Sequence, residues 1–145
     1  SLNSNTQDNN EKQVENLSAI KDILNNYYYD LTNDNYEQLL NYYDETVDRF
    51  LNQTTPITKY EIVRGHKSYH GKYPFHIYKL VSIEPYPNTQ NENNYLIHLT
   101  ISIKKFDYEE YKTYQITDIF TFDDNNKFSK QASNHARKYV ADLKF

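Results

Sequence analysis

The sequence predicts an α+β fold in which three N-terminal helices pack on one face of a curved antiparallel sheet. Two observations carry this. Apolar residues recur at helical spacing twice before residue 44 and again, behind a strong capping signal, after Thr58. From residue 75 onward, segments rich in Ile, Tyr and Val are separated by short polar turns. The stretch 42–50 stands between these two halves, where the chain passes from helix to sheet.

The elements follow in order. Residues 1–15 are Asn, Ser, Gln and charge, with Leu2 and Val14 the only aliphatics. Such a segment buries too little to offset its ordering entropy and reads as a disordered tail or linker. Leu17, Ile20, Leu24, Tyr27, Tyr28 and Leu31 predict a helix over 17–31, with Asn16 or Ser18 as its cap. Residues 32–35 are a polar break. Asp34 with Glu37 has capping-box spacing, and Tyr36, Leu39, Leu40 and Tyr43 predict a second helix ending near residue 43 or 44. A short strand over 47–51 places Val47 and Arg49 on one side, Asp48 and Phe50 on the other.

The third helix has the clearest local signature. Thr58 and Glu61 form a capping box, Ile57 and Ile62 a hydrophobic staple, and Gly71 followed by Pro74 a stop. It is expected over 59–71. Strands follow at 75–84, 95–104, 111–122 and 127–132. In the second of them Tyr95, Ile97, Leu99, Ile101 and Ile103 share one face, the pattern of a half-buried antiparallel strand. In the third, Tyr114, Ile116, Phe120 and Phe122 share a face on which Asp118 also falls. Residues 133–145 read as a short helix or a tail.

Composition narrows the function. The 145 residues carry a net charge of −4, which argues against a general nucleic-acid partner. Acids dominate residues 1–55, whereas Lys59, Arg64, Lys67, Lys72 and Lys79 face only Glu61 across 59–79. With no cysteine, no disulfide or thiolate chemistry exists. Gly65 and Gly71 are the only glycines, so glycine-rich nucleotide loops are excluded and no cofactor is expected. No apolar run reaches membrane-spanning length. Methionine is absent even at the start, which leads to the expectation of a processed or excised chain and a lean toward an extracytoplasmic setting. Sixteen tyrosines predict either a core with polar edges or a pocket lined by phenols, and Tyr27, Tyr28, Tyr43, Tyr69, Tyr78 and Tyr114 are the candidate lining.

Among charged candidates Asp118 stands out. A carboxylate flanked by Ile116 and Phe120 on an apolar face is desolvated and held toward its neutral form, which suits a general base or a polar anchor. The alternative is a structural pair with Arg49 or a tyrosine hydroxyl. Asp48 and Arg49 are candidates for gripping an anionic ligand, or for an ion pair that orients the strand. His66 and His70, four apart on one helix face, are a weak zinc pair that needs a further ligand such as His76 or Glu61.

The passage formed by Tyr42, Tyr43, Asp44, Val47, Asp48, Arg49 and Phe50 resembles the helix-to-strand passage of small bacterial members of the NTF2-like superfamily. Ile62, Lys67, Tyr69, Lys72, Tyr73, Pro74 and Tyr78 are similar to their third helix and its exit into the sheet. The resemblance implies a cone-shaped domain over 16–132, flanked by 1–15 and 133–145. It also implies a docking surface on the sheet suited to a homodimer. Enzymatic members such as steroid isomerases and scytalone dehydratase place an Asp, Tyr or His inside the cone. No enzyme motif maps residue by residue here, and fold alone does not carry activity. The sequence therefore favours a non-catalytic binding or assembly module for a small molecule or protein, with the soluble part of an envelope-associated protein as one setting. The alternatives are a small isomerase, dehydratase or hydrolase using Asp118 as base, and an interaction subunit using the basic third helix.

Overall fold

The computed structural model describes residues 16–86, 93–133 and 138–140. Helix α1, Leu17–Thr32, forms because Ile20, Leu24, Tyr27, Tyr28 and Leu31 make one buried stripe. Asn16 is its N-cap but gives no side-chain cap bond. At the other end Asn33 donates from its backbone and its side chain to Tyr29 O. Asp34 then takes a left-handed conformation (φ 58°), which a short polar side chain tolerates. Helix α2, Tyr36–Leu39, is a single turn, shorter than expected from the stripe. Tyr43, the last residue of that stripe, is drawn out of the helix into a bridge with Phe128.

The expected strand over 47–51 is two pieces. β1, Thr46–Val47, pairs with β3, Ile57–Thr58, in a small separate sheet, and β2, Arg49–Phe50, joins the main sheet. Helix α3, Lys59–Lys72, follows, with Thr58 Oγ1 accepting from Glu61 N and Ile62 buried. The main sheet then builds from β4, Phe75–Pro85, β5, Asn93–Lys104, β6, Lys112–Phe122, and β7, Phe128–Ser133. Its order is β2-β7-β6-β5-β4, antiparallel except for the parallel β2–β7 pair. Bulges between Leu80 and Ser82 and between Thr121 and Phe122 bend the strands.

Residues 133–145 depart from expectation where they are described. Lys138–Val140 is a strand, β8, paired with Thr113–Gln115 of β6, so the exposed edge of β6 beyond β7 recruits it in place of a helix. The tail expected over residues 1–15 lies outside the described residues. No helix among the described residues is long and apolar enough to cross a membrane.

The core forms between α1 and the sheet. Phe128 is its hub: the rings of Tyr27, Tyr43, Phe120 and Phe122 meet it edge-on at 4.9 to 5.2 Å, the favoured aromatic geometry. Several tyrosines pack by their rings while their hydroxyls reach partners, as Tyr42 does at Asp30 Oδ2, 2.6 Å. The abundance of tyrosine thus yields both a core and, beside it, a lined cavity.

Candidate functional site

A cavity of about 480 Å³ opens between α1, α3 and the inner face of the sheet, within the range of small-molecule sites. The last turns of α1 supply Tyr27, Tyr28 and Leu31, and α3 supplies Gly65, His66 and Tyr69. The strands supply Phe50, Tyr78, Leu99, Ile101, Ile116, Asp118 and Gln131, and Leu51 and Asn52 line it after β2. Leu51 holds a left-handed conformation (φ 54°) that turns the chain there.

Asp118 lies where the alternation of β6 places it, between Ile116 and Phe120 on the inward face, and is 4% exposed. Its charge is felt by the neighbouring phenols. Burial pushes Tyr27, Tyr28 and Tyr43 well above the ordinary phenol range, and the negative Asp118 adds to the effect in each case. These hydroxyls therefore keep their hydrogens. Tyr28 Oη is buried with no hydrogen-bond partner among the described residues.

His66 completes the polar wall. Its ring sits edge-on to Phe50, and Nε2 lies 3.4 Å from Tyr27 Oη and 3.3 Å from Tyr43 Oη. Tyr27 and Tyr43 hydroxyls are hydrogen-bonded to each other, and Tyr43 donates to Gln131 Oε1 at 3.1 Å. Burial, then the neighbouring His70, lowers the His66 pKa to about 3, so the imidazole is neutral.

Six sequence candidates reach this site: Tyr27, Tyr28, Tyr69, Tyr78 and Asp118 as lining, and Tyr43 from behind the wall. Tyr114 packs against the core elsewhere. Asp48 and Arg49 do not line the cavity. Asp48 is exposed, and Arg49 Nε turns to Leu51 O at 3.4 Å. The break at Asp48 between the two short strands reverses the expected sides, so that Phe50 reaches the cavity in place of Arg49. Gln131 and Phe50 were missed. For Gln131 the readable signal was a polar residue in the last strand of a sheet with an apolar inner face.

His66 and His70 have different surroundings. Their ring centres are 6.3 Å apart; His66 lines the cavity while His70 joins Asp34 and His76 behind it. Glu61 is exposed at the helix start. Asp34 Oδ1 lies 2.9 Å from His70 Nδ1, 2.7 Å from His76 Nε2 and 3.1 Å from the donating Tyr36 hydroxyl. His70 Nε2 is 2.9 Å from Tyr78 Oη, and His76 Nδ1 is 2.7 Å from Tyr73 O. The His70 and His76 rings are stacked, 3.7 Å apart and 14° from parallel. A nitrogen of each ring faces the same Asp34 oxygen, and the ligand atoms of the three side chains all lie within 4.8 Å of one another. This arrangement suits donation to Asp34. Burial raises the Asp34 pKa, but the His76 hydrogen bond and charge outweigh it, and the net shift is downward. Burial and the charge of His76 lower His70 to about 4.

The basic residues of α3 are largely engaged within the chain. Lys59 pairs with Glu45 at 2.9 Å, and the amines of Lys67 and Lys72 lie over the rings of Tyr36 and Tyr73.

No family model matches the sequence, and no curated protein matches it. Solved structures do. A SnoaL-like polyketide cyclase from Agrobacterium tumefaciens superposes with a TM-score of 0.62 at 12% identity, over 79% of this chain and 88% of that one. An NTF2-like protein of unknown function from Exiguobacterium gives 0.60 at 12% identity, over 74% and 93%. An epoxide hydrolase from Mycobacterium tuberculosis, of the LEH-like type, gives 0.59 at 11% identity, over 79% and 76%. At these identities the likeness establishes the fold: the chain has the NTF2-like architecture of the solved proteins.

Proposed function

We propose that the chain is a small-molecule enzyme of the isomerase, dehydratase or hydrolase kind, with Asp118 as its general base. One observation carries this reading: a buried carboxylate stands in the wall of an otherwise largely apolar cavity of about 480 Å³. A module that only assembles with other proteins does not need that combination, and a filled cone would have favoured it. The engagement of Lys59, Lys67 and Lys72 within the chain weighs against the basic-helix reading. Proteins of this fold described as a polyketide cyclase and an epoxide hydrolase add support from architecture.

In the proposed step the Asp118 carboxylate takes a proton from a ligand carbon next to a carbonyl. The electron pair of the broken C–H bond becomes a carbon–carbon double bond and the carbonyl π pair moves onto the oxygen, giving an enolate. The protonated Asp118 then returns the proton, to the same carbon or to a conjugated one. Low polarity around the carboxylate raises its basicity, and positioned donors on the wall stabilise the oxygen charge.

The test is deuterium uptake from heavy water into a cyclic aryl ketone such as tetralone, followed by proton NMR. The wild-type chain is expected to accelerate exchange, and Asp118→Asn to lose roughly a hundredfold or more of it. Equal rates for the two proteins, or no acceleration over buffer by the wild type, contradict the assignment.

A further inference from the structure

The hydrogen bonds behind the cavity wall have a direction, and it determines what the wall offers a ligand. Tyr43 has one hydroxyl hydrogen and donates it to Gln131 Oε1. The close Tyr27–Tyr43 contact needs a hydrogen between the two oxygens, so Tyr27 supplies it. Both phenol hydrogens are then committed. His66 Nε2, facing both phenol oxygens, has only lone pairs to meet and must donate. The imidazole is neutral, with its pKa lowered to about 3 by burial, and carries a single ring hydrogen. Nδ1 is therefore bare, and no hydrogen bond to it occurs among the described residues.

The orientation of the Gln131 amide has independent support. Gln131 pairs across from Phe120, and Asp118 lies two residues along the same face of β6, so Gln131 and Asp118 are diagonal neighbours. Turning the amide nitrogen toward the cavity and the carboxylate, and the amide oxygen toward Tyr43, is the favourable arrangement.

We infer that His66 is locked with its hydrogen on Nε2, that Nδ1 is an acceptor on the cavity wall, and that the cavity selects an apolar, preferably aromatic, ligand bearing a hydroxyl. The hydroxyl donates to His66 Nδ1, the Gln131 amide donates to an oxygen of the ligand, and Asp118 is left for the proton it handles. His66 is in this role a positioning and specificity residue. The ligand class rests on the cavity reading proposed above, whereas the locked tautomer does not.

The experiment has two arms. A long-range proton–nitrogen NMR correlation on the nitrogen-15-labelled full chain at neutral pH reads the tautomer directly. The expected spectrum has His66 Nε2 protonated and Nδ1 bare; a protonated Nδ1 overturns the inference. Tyr43→Phe frees the Tyr27 hydroxyl to donate to Nε2 and is expected to move the hydrogen to Nδ1. If that variant does not fold, the wild-type spectrum still decides. In the second arm phenol and anisole, which differ by the donor hydrogen, are titrated into the wild-type chain by calorimetry. Phenol is expected to bind about tenfold more tightly, the worth of one hydrogen bond. Equal affinity, or binding of neither, overturns the ligand class. A bare Nδ1 with phenol preference but no ketone exchange leaves this inference standing and removes the catalytic reading. Exchange by the wild type without phenol preference does the reverse.

Discussion

Lowering the pH from 7 to 5 destabilises the wild-type chain more than a His66→Gln variant. The histidine titrates near 6.5 when unfolded and at about 3 in the fold, because burial disfavours its charged form. A base whose folded value is depressed contributes stability that is present above the unfolded value and is lost as the pH falls toward the folded one. Between pH 7 and pH 5 the unfolded chain takes up this proton and the folded chain does not. Integrating the difference gives about 2 kcal/mol. His66 is half-buried with one side on the cavity, and water there tempers the penalty, so the observable loss lies between about 1 and 2 kcal/mol. Gln cannot titrate but keeps a donor for the Tyr27 and Tyr43 oxygens. His70, also depressed, is present in both proteins and cancels from the comparison. Urea unfolding followed by tyrosine fluorescence at the two pH values measures the double difference. Equal acid sensitivity in the two proteins refutes the placement of a neutral, half-buried His66.

Further perturbations test the packing and the other charges. Phe128→Ala removes the ring that four others meet edge-on and is expected to cost about 3–5 kcal/mol in urea unfolding. Tyr43→Phe breaks the link from Tyr27 to Gln131 and is expected to cost about 1–2 kcal/mol, whereas Tyr28→Phe removes a hydroxyl without a hydrogen-bond partner among the described residues and stays within about 0.5 kcal/mol. Asp44 is pushed up to about 6 by burial and by its hydrogen bond to and the charge of Asp123. Its protonated form is favoured in the fold, so this contribution is full below about 3.8 and lost as the pH rises through about 6. Asp44→Asn is accordingly expected to raise stability at pH 7 by about 1 kcal/mol and to gain nothing at pH 3.5, read by thermal melts.

Local signals in the sequence were enough for most of the frame. The capping box at Thr58, the stripe from Ile20 to Leu31 and the alternation from Tyr95 to Ile103 each describe short-range geometry, and each element formed where its pattern lies. The inward face of Asp118 followed from the same period-two rule. What was not legible depends on distant partners. Tyr43 fits a helical stripe until Phe128, far along the chain, draws it into a bridge. Asp48 and Arg49 look like one strand until β1 and β2 are seen to pair with different sheets. His66 was readable as a cavity residue, because it shares the stripe of Ile62 and Tyr69, but the spacing to His70 drew attention to a metal instead. The Asp34–His70–His76 cluster depends on the left-handed turn at Asp34 and on the exit of α3 into β4, neither of which spacing reveals.

The assignment of Asp118 as the polar working group of a ligand cavity has a direct readout. Carbon-detected NMR of side-chain carboxyls, recorded while phenol is titrated into the full chain, tests it most directly. The Asp118 carboxyl resonance is expected to move saturably while those of exposed acids such as Asp48 and Glu61 stay in place. An Asp118 resonance that ignores the ligand, with shifts confined to the surface, would contradict it.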